Sequence, residues 1–223
     1  DELARLFNIS KDKIFDVPVA IDVKTINEVQ RNSNITREKI GIKSNDFVLI
    51  SVNRLVPEKG VEYLIDAFQI LKNNIRRAKL ILIGKGYQEQ QIISKIKSYG
   101  VSDSVIHLRN LREEELYGCY SISDIYISPT LQEDFIMSIQ EAMACGLPVI
   151  STGQGWLVQD GINGYLVERR NPEMLAQKII KIYQDRSYKP MGEKSREIIK
   201  KYDWDTVIDK LIKIYENTIR NKH

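Results

Sequence analysis

Short apolar runs that alternate with helix-period segments constrain this chain more than any other feature. Phe47 to Val52 reads FVLISV, a continuous apolar run, the mark of a strand buried on both faces of a parallel sheet. Further strands are expected at Leu80 to Ile83, Val105 to Leu108, Asp124 to Ser128, Leu147 to Ser151 and Gly164 to Val167. Between the first two, Val61 to Leu71 carries Leu64, Ile65, Phe68 and Leu71 at helical spacing. Helices are also expected at Glu89 to Tyr99 and Glu113 to Tyr120, and after Ser128. Asn171-Pro172 is a helix start, with Asn as N-cap and Pro in the first helical position. Two last helices follow at Lys194 to Lys201 and Thr206 to Ile219. Such alternation predicts an α/β fold, a doubly wound, mostly parallel sheet with helices on both faces. Ligands of such sheets bind in the loops at the carboxyl ends of the strands.

The first 31 residues fall outside this rhythm. Asp1 to Phe7 reads as a short amphipathic helix, Ile14 to Val17 as a strand, and Val19 to Arg31 as a loop-like connector. A short helix is expected from Thr36. The opening DELARLF has neither Met nor a signal peptide, so the chain reads as part of something longer. Net charge is +3, too mild to argue for nucleic acid. Two cysteines, Cys119 and Cys145, make no disulfide framework or metal cluster and favour a reducing, cytoplasmic setting. No apolar run reaches the length of a membrane span.

The stretch with most chemistry is SPTLQEDFIMSIQEAMACG, Ser128 to Gly146. It leaves a strand, crosses a polar turn and enters a helix, with Glu133 at the turn and Glu141 eight residues on. Eight residues span roughly 12 Å if helical. Two carboxylates so spaced do not share one bond but suit the two ends of an extended ligand. The helix start between them offers free N–H groups and a positive dipole end, which favour an anion such as a phosphate. Arg54 and Lys59, in the loop NRLVPEKG after the first strand, suit a diphosphate clamp: a guanidinium fork and a point charge. They read equally well as solvated surface cations.

Other motifs read as structural. Gly84-Lys85-Gly86 begins like a dinucleotide fingerprint, but Glu89 stands where its third glycine belongs, so the glycines serve a tight turn. Asp203-Trp204-Asp205 matches a metal-binding DxD, yet Asp203 reads better as N-cap of the last helix, with Trp204 covering the core. His107 lies within an apolar strand, and no histidine here suits a general base. The last helix reads as a docked helix with a solvated polar face rather than a membrane-surface helix.

In order, SVNRLVPEKGVEYLIDAF, ILIGKG, SDIYISPT, EDFIMSIQEAMACGLPVIST, DGINGYLV and NPEMLAQKI resemble the C-terminal, donor-binding domain of retaining GT-B glycosyltransferases, family 4, also called group 1. The resemblance runs from about Ile14 to Tyr215. It implies a Rossmann-like domain over residues 32–223, with residues 1–31 coming from a preceding domain. The implied reaction moves a hexose from a nucleotide diphosphate sugar to an acceptor hydroxyl with retention and without a metal or other cofactor. Arg54 and Lys59 would contact the diphosphate. Glu133 would face the transferred sugar at the catalytic centre, and Glu141 would hold the ribose. Backbone amides near Phe135, Ile136, Met137 and Ser138 would meet the phosphate, and main chain near Arg109 to Leu111 the base. Implied partners are the donor, a saccharide or lipid-linked acceptor and an N-terminal Rossmann domain of the same enzyme; lipid-linked acceptors would place it at the inner face of the membrane.

Three departures accompany the resemblance. Asp134 and Ile136 replace the two glycines of the usual Gly-Phe-Gly. The loop TGQGWLVQD, Thr152 to Asp160, is about three residues shorter than the family pattern and lacks its Gly-Gly-x-x-Glu run. An N-terminal Rossmann domain is expected to lie outside these residues, which would leave the domain inactive alone; the loss of Gly-Phe-Gly favours the second reading, a nucleotide or nucleotide-sugar binding module without transfer activity.

Overall fold

The computed structural model describes residues 6–132, 137–153 and 156–220. In chain order these form α1 (Val23–Asn32), β1 (Phe47–Val52), α2 (Val61–Asn74), β2 (Ala78–Ile83) and α3 (Glu89–Ser98). Then come β3 (Val105–Leu108), α4 (Glu113–Ser121), β4 (Ile125–Ser128), α5 (Met137–Ala144) and β5 (Val149–Ser151). The chain closes with β6 (Gly164–Leu166), α6 (Pro172–Gln184), α7 (Tyr188–Ile199) and α8 (Trp204–Arg220).

The six strands form one parallel sheet in the order β3-β2-β1-β4-β5-β6. The order reverses between β1 and β4, and sheets of this kind take their ligands at the carboxyl ends of such a switch point. Both faces of the sheet are covered, and this explains the unbroken apolar runs. Phe47 and Leu49 of β1 face a core shared with Leu64, Ile65 and Phe68 of α2, and with Ile179 and Ile182 of α6. Val48 and Ile50 face the other core, with Tyr120 of α4, Ile139 and Met143 of α5, and Ile199 of α7. Phe47 to Ser51 of β1 are therefore buried whichever way they point.

The expected strands of the sheet are all present, with ends shifted by at most two residues. Asn171 caps α6 as read, its side chain accepting the Met174 N–H at 2.9 Å. Three segments differ. Residues 23–32, read as connector, are helical because Asp22 caps α1: its carboxylate accepts the Thr25 N–H and the Thr25 hydroxyl, each at 2.8 Å. Ile21 and Ile26 are buried in the core of α4 and α5. Ile14 to Val17 is not a strand, since no edge pairs with it; instead Lys210 Nζ of α8 donates to the Asp16 carbonyl at 2.6 Å. α7 begins at Tyr188 rather than Lys194: Pro190 falls in its first turn, where proline is tolerated, and Gly192 packs against the Gly146 carbonyl. The expected helix over residues 1–7 lies mostly outside the described residues.

Candidate functional site

β1 and its loop are rigid as far as the switch point. Ser51 Oγ donates to the Ile127 carbonyl of β4 at 2.8 Å, and buried Asn53 donates to Ser51 Oγ at 2.8 Å. The Asn53 and Leu55 N–H groups continue the ladder to the Ile83 and Lys85 carbonyls at 3.0 and 2.9 Å. Arg54 lies between them with its side chain exposed. A single 3-10 turn, Pro57–Lys59, then leads to Gly60, which has φ +61° and lies so close to the Pro129 carbonyl that a Cβ would overlap it. The Leu131 N–H donates to the Glu58 carbonyl at 2.8 Å. The loop with Arg54 and Lys59 is thus strapped to residues 129–132, the turn that leads to Glu133.

Glu133, Phe135 and Ile136 lie outside the described residues, as do Asp134 and residues 154–155 of the shortened loop. Met137, half exposed, opens α5. Ser138 Oγ is 2.7 Å from the Tyr126 hydroxyl and donates to the Val52 carbonyl at 3.3 Å. That bond fixes the start of α5 to the end of β1, two residues before Arg54.

Glu141 sits one turn further along. Its Oε2 accepts the Tyr120 hydroxyl at 3.0 Å. Tyr120 is fully buried, its ring 6.4 Å from that of Tyr117 and 6.0 Å from that of Tyr126. Burial pushes the Glu141 carboxyl above the usual carboxylate range, while the bond from Tyr120 acts the other way and the Glu113 charge adds to the rise. The sequence reading missed Tyr120 and Tyr126. Their signal was a tyrosine at a core position, whose hydroxyl must find a partner inside.

The end of β3, where the sequence places the base, is less tightly joined to this cluster, because β2 separates β3 from β1. Arg109 Nη2 pairs with Glu89 Oε1 at 2.6 Å, so the carboxylate at the third fingerprint position anchors an arginine at the end of β3. Leu111 packs half-buried against the core. Gly84 and Gly86 lie against the Asn53 and Leu55 carbonyls, where a Cβ would overlap them, as a packing role requires. His107 Nε2 donates to the Gly84 carbonyl at 2.9 Å.

Asp203 stands at the N-cap position of α8 as expected, extended in backbone and with its carbonyl accepting the Val207 N–H at 3.0 Å, while its Oδ1 accepts the first N–H of α1, that of Val23, at 2.9 Å. Trp204 does not cover the core; it is 51% exposed. Among the described residues, no group of three His, Cys, Asp or Glu could hold a metal ion. Both thiols are free and buried, and burial pushes that of Cys119 up to about 11. No described helix is long and apolar enough to cross a membrane.

The family model for glycosyl transferases group 1 matches residues 32–202, well over half of the chain. The chain belongs to that family. Among relatives of this glycosyltransferase chain is the uncharacterized glycosyltransferase MJ1607 of Methanocaldococcus jannaschii, 26% identical over 97% of the chain and 57% of the relative. The chain spans about half the length of the curated relatives it matches. The pneumococcal O-GlcNAc transferase GtfA, solved with UDP and GlcNAc, superposes with a TM-score of 0.78 at 22% identity, over 98% of this chain and 43% of its own. The C-terminal domain of the group 1 glycosyl transferase LpcC from Francisella tularensis superposes at 0.69 and 20% identity, over 82% of this chain and 99% of its own. The fold is that of the C-terminal domain of GT-B glycosyltransferases.

Proposed function

We propose that this chain binds the donor for a retaining glycosyltransferase that moves a hexose from a nucleoside diphosphate sugar to an acceptor hydroxyl. The supporting observation is the hydrogen bond from Leu131 N–H to the Glu58 carbonyl. It joins the cationic loop to the approach to Glu133, at the switch point where such sheets take ligands. Arg54 and Lys59 meet the diphosphate, aided by the amides at the start of α5. Glu141 accepts the ribose hydroxyls, and main chain near Arg109 to Leu111 receives the base. Glu133 faces the sugar and supports charge at its reacting carbon.

In the reaction the bond from the anomeric carbon to the diphosphate oxygen breaks. The acceptor oxygen bonds to that carbon on the same face, its proton passes to the departing diphosphate oxygen, and the nucleoside diphosphate leaves. Charge on the leaving group is offset by the two cations and the dipole of α5, so the mechanism requires no metal. An N-terminal domain of the same enzyme completes the cleft and carries the acceptor, a saccharide or a lipid-linked one. UDP is the first nucleotide to test, since GtfA was solved with it.

Titration of the chain with UDP, GDP and ADP tests donor binding, and no heat from any of them would refute it. Transfer is tested in the longer protein with Glu133→Gln. The reading expects turnover to collapse while donor affinity stays within a few-fold. Asp134 and Ile136, in place of glycines, favour a second reading, a nucleotide-sugar binding module; tight donor binding with no transfer or donor hydrolysis in the longer protein would establish it.

A further inference from the structure

We infer that Tyr120 is a positioning residue for Glu141 and gives the site its preference for ribonucleotides over deoxyribonucleotides. This rests on the proposed nucleotide site. Tyr120 is buried completely, and its hydroxyl points at one atom of the carboxylate, Glu141 Oε2, at 3.0 Å. Among the described residues no donor reaches Oε1, so that oxygen keeps its lone pairs for a ligand. Glu141 is only partly buried, and is reachable from solvent. A carboxylate gripped at one oxygen has lost most of its rotamer freedom before a ligand arrives. The second oxygen can then accept a vicinal diol with little ordering cost.

The geometry of the support fits this role. The Tyr120 ring is held between Tyr117, stacked at 25°, and Tyr126, tilted at 47°, and its hydroxyl has two acceptors in reach, Glu141 Oε2 at 3.0 Å and the Ser138 carbonyl at 3.4 Å, the carboxylate being the nearer. Tyr126 serves a different partner: its hydroxyl meets Ser138 Oγ at 2.7 Å. The two phenols lie side by side in one core, yet only Tyr120 touches Glu141. The bond from Tyr120 also opposes the rise that burial imposes on the carboxyl, favouring the ionised acceptor.

A tyrosine that only filled the core would shift stability and leave ligand choice alone. The test is therefore a ratio, the affinity for UDP over that for 2′,3′-dideoxy-UDP, measured by calorimetry on the wild type, Tyr120→Phe and Tyr126→Phe. The wild type should prefer UDP by about tenfold or more, as expected for hydrogen bonds to a charged acceptor. Tyr120→Phe should cut that preference to within about threefold, losing most of the same bond energy, while the dideoxy affinity holds. Tyr126→Phe should change both affinities by a common factor. A wild type that binds neither nucleotide defeats the donor-site reading itself. A wild type that prefers UDP, with the preference intact in Tyr120→Phe, leaves that reading standing and overturns the role of Tyr120.

Discussion

Leu131 donates its backbone N–H to the Glu58 carbonyl at 2.8 Å, joining the loop after β1 to the loop after β4. The contact is backbone to backbone, and Gly60 makes it possible by lying against the Pro129 carbonyl at φ +61°. Gly60→Ala adds a Cβ where there is no room and forces alanine into the left-handed region. The expected cost is roughly 2 kcal/mol, or a fall of about 4–8 °C in melting temperature for a chain of this size. Scanning calorimetry checks it, and an unchanged melt would show that the two loops are not strapped.

Glu141 should cost stability. Its folded carboxyl titrates above the ordinary range because burial penalises the charge. The stability tied to its proton is fully present below the unfolded pKa, about 4.3, and is lost as pH rises through the folded value. Glu141→Gln should therefore melt higher than the wild type near neutral pH, with the gap closing on acidification. Thermal melts across that range decide it; a variant that melts lower at neutral pH contradicts the assignment. UDP affinity of the wild type should fall on acidification at a higher pH than an ordinary glutamate would dictate.

Arg37 should matter to the fold and not to the ligand. At the opposite, amino end of the sheet it donates to the Ile122 carbonyl at 2.9 Å, to the Asp46 carbonyl at 2.9 Å and to both Asp124 oxygens at 3.0 Å. Asp124 in turn accepts the Val48 N–H at 2.7 Å. Arg37→Met strands a mostly buried carboxylate, at an expected cost of about 3–5 kcal/mol. Urea denaturation measures the loss, and UDP affinity of the folded variant should stay within a few-fold. A loss under about 1 kcal/mol would mean that the pair acts as an exposed one.

How far the sequence disclosed this arrangement depended on the range of each interaction. The sheet was legible because strands such as Phe47–Val52 are buried on both faces and so carry continuous apolar runs. α1 was not, because Ile26 is its only buried residue and half its capping comes from Asp203, 180 positions away. α7 starts six residues before its expected beginning: Pro190 is accommodated in its first turn and Gly192 packs against Gly146, a fit that exists only in the folded chain. That Arg54 and Lys59 lie in the loop after β1, and Glu141 on the helix after β4, was legible from sequence position alone. The bond of Tyr120 to Glu141 was not, since it exists only once the sheet brings α4 beside α5. Nor was the pairing of Glu89 with Arg109, which turns a defect in a fingerprint into an anchor.

The central claim is that Arg54 and Lys59 hold the diphosphate of a nucleotide-sugar donor. Calorimetric titration of UDP and of uridine onto the wild type, Arg54→Ala and Lys59→Ala tests it most directly. Each substitution should weaken UDP by about tenfold or more, the worth of one charge-assisted hydrogen bond, and leave uridine binding unchanged. UDP affinity equal to the wild type in both variants would contradict the clamp and, with it, the account of the site.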